Sequence, residues 1–133
     1  MAFVADNSVV VAWFTKNQSD DYSRRLLARA AKERVHVPLI WRAEFASVLL
    51  TFVHNRRLQP AHVKVVIDHV DRLDFIHDAA PPSTRALVEL GQRYALGAYD
   101  ACYLELALRL KLPLAVRDGT LRKAADRAGA TLA

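Results

Sequence analysis

The feature that most constrains this chain is the alternation of short apolar runs with longer stretches of helical spacing. Residues 2–6 (AFVAD), 35–39 (VHVPL), 73–78 (LDFIHD), 112–116 (LPLAV) and 130–132 (ATL) are brief and rich in Val, Leu, Ile and Phe, as buried strands are. Between them Trp41, Phe45, Val48, Leu49, Phe52 and Val53 recur at steps of three and four, and Val63, Val66, Ile67 and Val70 repeat the pattern. Tyr22, Leu26, Leu27 and Ala30 predict an earlier helix, Leu87, Leu90 and Tyr94 a later one, and Leu121, Ala124, Ala125 and Ala128 the last. Residues 99–110 (YDACYLELALRL) are apolar nearly all round, which predicts a helix packed on two sides. Pro60 opens a helix, Pro81 and Pro82 interrupt the chain, Gly97 separates two helices and Gly129 closes the last. Strands joined by crossover helices pair in parallel. The chain therefore reads as an α/β fold, a three-layer α/β/α sandwich with a mainly parallel central sheet of about five strands. In such sheets, sites form at the carboxyl ends of the strands.

With 133 residues, 53% of them hydrophobic, the chain suits one domain with a real core, so residues 1–133 are expected to fold as a unit. No linker, repeat or low-complexity segment divides it. Nineteen basic residues against 14 acidic ones favour a polyanionic or acidic partner. The lone Cys102 excludes an internal disulfide and a thiolate zinc site, and is expected to fill the core. No run resembles a secretory signal or approaches the about 20 apolar residues of a membrane span. A cytoplasmic protein with no membrane partner is the expectation.

Four acids stand where strands end or helices begin. Asp6 follows the first strand; Asp118 follows LPLAV; Glu44 lies in the first turn or so of the helix after the second strand; Asp100 lies in the first turn of the apolar helix. Asp is a preferred N-cap and acids complement a helix N-terminus, so each has an ordinary structural explanation. Glu44 and Asp100, however, sit in stretches (IWRAEFASVLL and ALGAYDACYLEL) so apolar that a solvated acid has little exposed face to occupy. Their side chains are expected to share a cleft. Carboxylates about 4 Å apart repel by several kcal/mol, so a cluster of them calls for protonation or a cation. Oxygen donors without His or Cys suit Mg²⁺ or Mn²⁺, ions that serve the hydrolysis of phosphodiesters.

FVADNSVVVAWF, VPLIWRAEFASVLL and GAYDACYLELALRLKLPLAVRDGTLRKAADRAGATL resemble the successive motifs of PIN-domain proteins, in particular the VapC-type toxins of bacterial toxin–antitoxin pairs. The likeness runs from Phe3 to Leu132 and is most specific in its last block. It implies a three-layer fold and a Mg²⁺- or Mn²⁺-dependent ribonuclease centre in which Asp6, Glu44, Asp100 and Asp118 are the catalytic, metal-holding acids and Ser8 a supporting polar residue. It also implies a cognate VapB-type antitoxin, whose C-terminal segment packs on the toxin, and a homodimer. The sequence departs from the family at Ser47, where Asn is frequent a short step after the Glu, and at Val116, where Thr or Ser is common two before the last Asp. Both departures remove hydrogen bonds that would orient ligands.

Arg117 and Arg122 are the basic residues nearest in sequence to a proposed ligand and are the candidates for RNA phosphate contact. Trp13, Phe14, Trp41 and Phe52 are expected mostly in the core, with some lining a groove. His36, His54, His62, His69 and His77 show no metal-binding spacing and read as structural. The leading reading is a toxin endoribonuclease that hydrolyses RNA with an activated water; transfer, ribosomal and messenger RNA are equally compatible. The alternative is a catalytically weak PIN-like module that binds RNA or an antitoxin. A phosphatase of the haloacid-dehalogenase type also uses an Asp after its first strand, but needs a second Asp where this chain has Ser8.

Overall fold

A computed structural model describes residues 1–15, 19–117 and 119–133. The chain runs β1 (Ala2–Ala5), α1 (Asn7–Trp13), α2 (Asp21–Ala30), β2 (Arg34–Val37), α3 (Trp41–His54), α4 (Pro60–Arg72), β3 (Ile76–His77), α5 (Thr84–Tyr94), α6 (Ala98–Leu110), β4 (Leu114–Ala115) and α7 (Thr120–Arg127). The sheet has the order β3-β2-β1-β4 with every pair parallel, in registers such as Phe3 to Val35, Val4 to Leu114 and His36 to Ile76. Helices flank the sheet, which is the expected α/β architecture. Phe3, Val4 and Ala5 of the inner strand are fully buried, as a parallel strand covered by helices requires. From β1 the chain goes to one side for β2 and β3, then returns to the other for β4. The reversal between β1 and β4 is a topological switch point, where ligands of such sheets bind.

Four strands form among the described residues, not about five. Of residues 130–132, Leu132 makes one parallel bridge to Leu114, with Leu114 N–H donating to Thr131 O at 2.8 Å and Ala133 N–H to Leu114 O at 3.0 Å. The reason lies in β4. Lys111 in the left-handed region and Leu112, whose N–H donates to Ala107 O at 3.1 Å, are still closing α6, so the strand offers only two residues. Likewise Leu73 and Asp74 close α4, Asp74 at φ 53°, and β3 begins only at Ile76.

Local chemistry sets the helix starts. Asp20 and Ser23 form a reciprocal capping box on α2, Ser83 accepts from Ala86 N–H on α5, and Pro60 stands in the first turn of α4. Burial then holds the layers. Tyr103, Leu104 and Leu106 of α6 are buried beside β1, and Trp41 stacks on Phe45 at 4.9 Å while meeting Phe75 edge-on at 5.2 Å. Each such side chain contributes about 1.5–3 kcal/mol of transfer free energy. Cys102 is buried, as expected of a core filler. Among the described residues no helix is long and apolar enough to cross a membrane.

Candidate active site

Asp6 caps α1 at the carboxyl end of β1 and is only 8% exposed. Its Oδ2 accepts from Ser8 N–H at 3.2 Å and from Ser8 Oγ–H at 2.5 Å. Burial nevertheless raises its pKa above the usual carboxylate range; the Ser8 bonds oppose that rise, and the charge of Asp100 adds to it. Glu44, in the first turn of α3, is half-buried. Its pKa is raised by burial, lowered in part by a hydrogen bond from Tyr103, and raised again by Asp6 and Asp100. Asp100, in the first turn of α6, is raised by burial. The sheet thus gathers into one electrostatic neighbourhood three acids that lie far apart along the chain. Asp118 lies outside the described residues.

Tyr103, which the sequence reading did not single out, donates its hydroxyl to Glu44 Oε1 at 2.6 Å and is 1% exposed. Burial and the Glu44 carboxylate push its own pKa far up, so it remains a donor. A signal for it existed: Tyr103 is one helical turn beyond Asp100, and a buried tyrosine hydroxyl needs a partner. Ser47 is exposed. Val116 is buried, its N–H donating to the Tyr22 hydroxyl at 3.3 Å and its carbonyl accepting from Arg122 Nη1 at 2.7 Å.

Arg117 and Arg122 line a pocket of about 470 Å³ with Ser8, Asp20 and Tyr22. Arg117 Nη2 stands 3.5 Å from Asp20 Oδ2, and Arg122 lies over the Tyr22 ring at 5.5 Å. Asp20 is held below the usual carboxylate range by the backbone and hydroxyl of Ser23. On another face, Phe14, Phe45, Val48, Leu49, Phe52 and Arg57 contribute to an apolar groove of about 430 Å³. Trp41 is buried, Trp13 packs against the core, and Phe14 and Phe52 line that groove, the division expected from the sequence.

The acids supply hard oxygen donors of the kind Mg²⁺ and Mn²⁺ prefer, and a bound cation would favour the charged forms that burial disfavours at Asp6 and Glu44. By chemistry the set fits such an ion. Among the described residues, however, no three His, Cys, Asp or Glu side chains are grouped so as to hold one. Tyr103 ties Glu44 to α6.

A parallel sheet flanked by helices, with Asp6 at the carboxyl end of its inner strand and Glu44 and Asp100 in its electrostatic neighbourhood, defines an α/β protein. The profile of the PIN domain family matches residues 3–127, and the chain belongs to that family. Membership implies nuclease-type, hydrolytic function on RNA, typically with divalent metal ions. Among solved structures, that of PAE2754 from Pyrobaculum aerophilum is similar in fold, with a TM-score of 0.73 at 17% identity over 93% of this chain and 84% of that one. No curated protein sequence matches the chain.

Proposed function

We propose that the protein is a Mg²⁺- or Mn²⁺-dependent endoribonuclease acting as the toxin of a VapBC-type pair, in the cytoplasm and as a homodimer. Asp6, Glu44, Asp100 and Asp118 hold the ion. When bound, it supplies Lewis acidity and positive charge for hydrolysis of an RNA phosphodiester to a 5′-phosphate and a 3′-hydroxyl. The residues of this chain do the rest. Ser8 fixes the Asp6 carboxylate through its two hydrogen bonds, Tyr103 fixes Glu44, and Arg117 and Arg122 contact the RNA beside the acids. The apolar groove along Phe14 and Phe52 offers the face for a VapB-type antitoxin.

The observation that carries this reading is the burial of Asp6, Glu44 and Asp100 near one another, which raises the pKa of each, with neighbouring carboxylates adding to the rise at Asp6 and Glu44. Induced expression of the native protein beside the Asp6→Asn, Asp100→Asn double variant, with growth and RNA integrity followed, tests it. Growth arrest and RNA cleavage by the native chain alone support catalysis; equal arrest by both rejects it. The looseness of the described acids favours a second reading, a PIN-like module that holds RNA or an antitoxin without cutting. Absence of Mn²⁺ binding at near-millimolar concentration selects that reading.

A further inference from the structure

The pocket beside Ser8 takes its walls from the segments that follow β1 and β4, and Ser8 belongs both to it and to the Asp6 site. Two arginines alone would make a phosphate pocket. Asp20 is out of place in one, because a carboxylate repels phosphate. Nor is Asp20 a loose side chain: its Oδ1 accepts from Ser23 N–H at 2.8 Å, its N–H donates to Ser23 Oγ at 3.0 Å, and Ser23 is fully buried. Its Oδ2 stands 3.5 Å from Arg117 Nη2, longer than a strong charge-assisted hydrogen bond. Carboxylate and guanidinium are therefore displayed side by side, each partly exposed.

A phosphate offers only acceptors, whereas a nucleobase edge offers donors and acceptors together. Guanine alone among the RNA bases presents two adjacent donors, N1–H and N2–H, next to an acceptor, O6. A carboxylate beside a guanidinium is the complement of that edge. Arg122 already lies over the Tyr22 ring, at 5.5 Å, while Asp20 and Arg117 offer hydrogen bonds to the edge of a base. We propose that it is a guanine subsite for a nucleotide next to the cleaved bond, Asp20 accepting from N1–H and N2–H and Arg117 donating to O6. This rests on the ribonuclease reading for its place in a reaction, but not for its test.

The test is fluorescence anisotropy of the full chain with labelled single-stranded oligouridines carrying one central guanosine, inosine or adenosine, in EDTA so that nothing is cut. The guanosine oligomer should bind roughly tenfold tighter than the adenosine one, with inosine, which lacks the N2 amino group, between them. Asp20→Asn keeps a competent N-cap but turns an amide toward the donors, and should erase the guanosine preference. Equal binding of all three oligomers by the native protein overturns the proposal, and that comparison stands even if the variant does not fold. Uniform tightening on Asp20→Asn also overturns it, marking a phosphate pocket that Asp20 opposes. Guanosine preference without cleavage in Mn²⁺ removes the nuclease reading and leaves the subsite; cleavage without preference does the reverse.

Discussion

Replacing Tyr103 with Phe removes one oxygen and nothing else from the interior of α6. The ring stays buried among the same neighbours, so packing is retained and only the 2.6 Å bond to Glu44 Oε1 is lost. Hydrogen bonds to charged groups contribute about 1.5–3 kcal/mol when both ends are shielded. Here Glu44 is half-exposed and water can replace the tyrosine, so the contribution falls below that range, to the about 1 kcal/mol of an ordinary hydrogen bond. For a domain of this size that corresponds to a fall in Tm of roughly 3–5 °C, read by circular dichroism in EDTA. The functional consequence should be larger than the loss of stability. Freed from Tyr103, Glu44 no longer enters the site from a fixed direction, and Mn²⁺ affinity by calorimetry should fall about 10–100-fold, as for partners that orient metal ligands. A Phe variant with native Tm and native Mn²⁺ affinity would refute the reasoning, because Glu44 would then need no anchor.

Other outcomes follow from single contacts. Trp41→Ala should cost about 3–5 kcal/mol in denaturant unfolding, since Trp41 stacks on Phe45 and meets Phe75 edge-on in the core. Gly91→Ala places a Cβ 2.9 Å from the Leu96 carbonyl oxygen, a backbone atom that cannot swing away, and should destabilise by about 1–3 kcal/mol. Burial opposes ionisation of Asp78, but its bonds from Arg109 at 2.6 and 3.2 Å outweigh that and lower its pKa. The stability it contributes is thus present above the unfolded value near 3.9 and is lost as pH falls through the lower folded value; Arg109→Gln should flatten that acid limb. Converting Arg117 and Arg122 together to Gln should weaken RNA binding and lower its salt slope by up to about 1.4, while an unchanged slope rejects their contact with the RNA.

The sheet was legible in the sequence because it follows from a local rule, and Asp6, Glu44 and Asp100 were visible as candidates by their places at a strand end and at helix starts. Apolar runs of three to six residues separated by helical spacing leave little choice but a parallel sheet, and Asp6 announces itself by ending a run of fully buried residues. Strand lengths were not legible, because the closing turns of α4 and α6 consume residues 73–74 and 111–112, and no periodicity marks where a helix stops sharing its last carbonyls. The partners of the acids were harder still. Tyr103 looks like one more apolar residue in an apolar helix until Glu44 is seen within reach, and Asp20 looks like an ordinary N-cap until Arg117, from the segment after β4, comes within 3.5 Å of it. Both depend on contacts between distant segments, which composition and spacing do not encode.

The most direct measurement is the Tm of the native protein and of Asp6→Asn at neutral pH, each in EDTA and in Mn²⁺. Because burial raises the pKa of Asp6, its contribution is favourable below the unfolded value near 3.9 and is lost as pH rises through the folded one, so at neutral pH the buried charge is a cost. Asn relieves that cost and still caps α1, so the variant should be at least as stable as the native chain in EDTA. Saturating Mn²⁺ at about 100 times its dissociation constant should then stabilise the native chain by about 2.7 kcal/mol and leave the variant unmoved. Equal Mn²⁺ shifts for both proteins, or none for the native one, would contradict the claim that these acids share a cation.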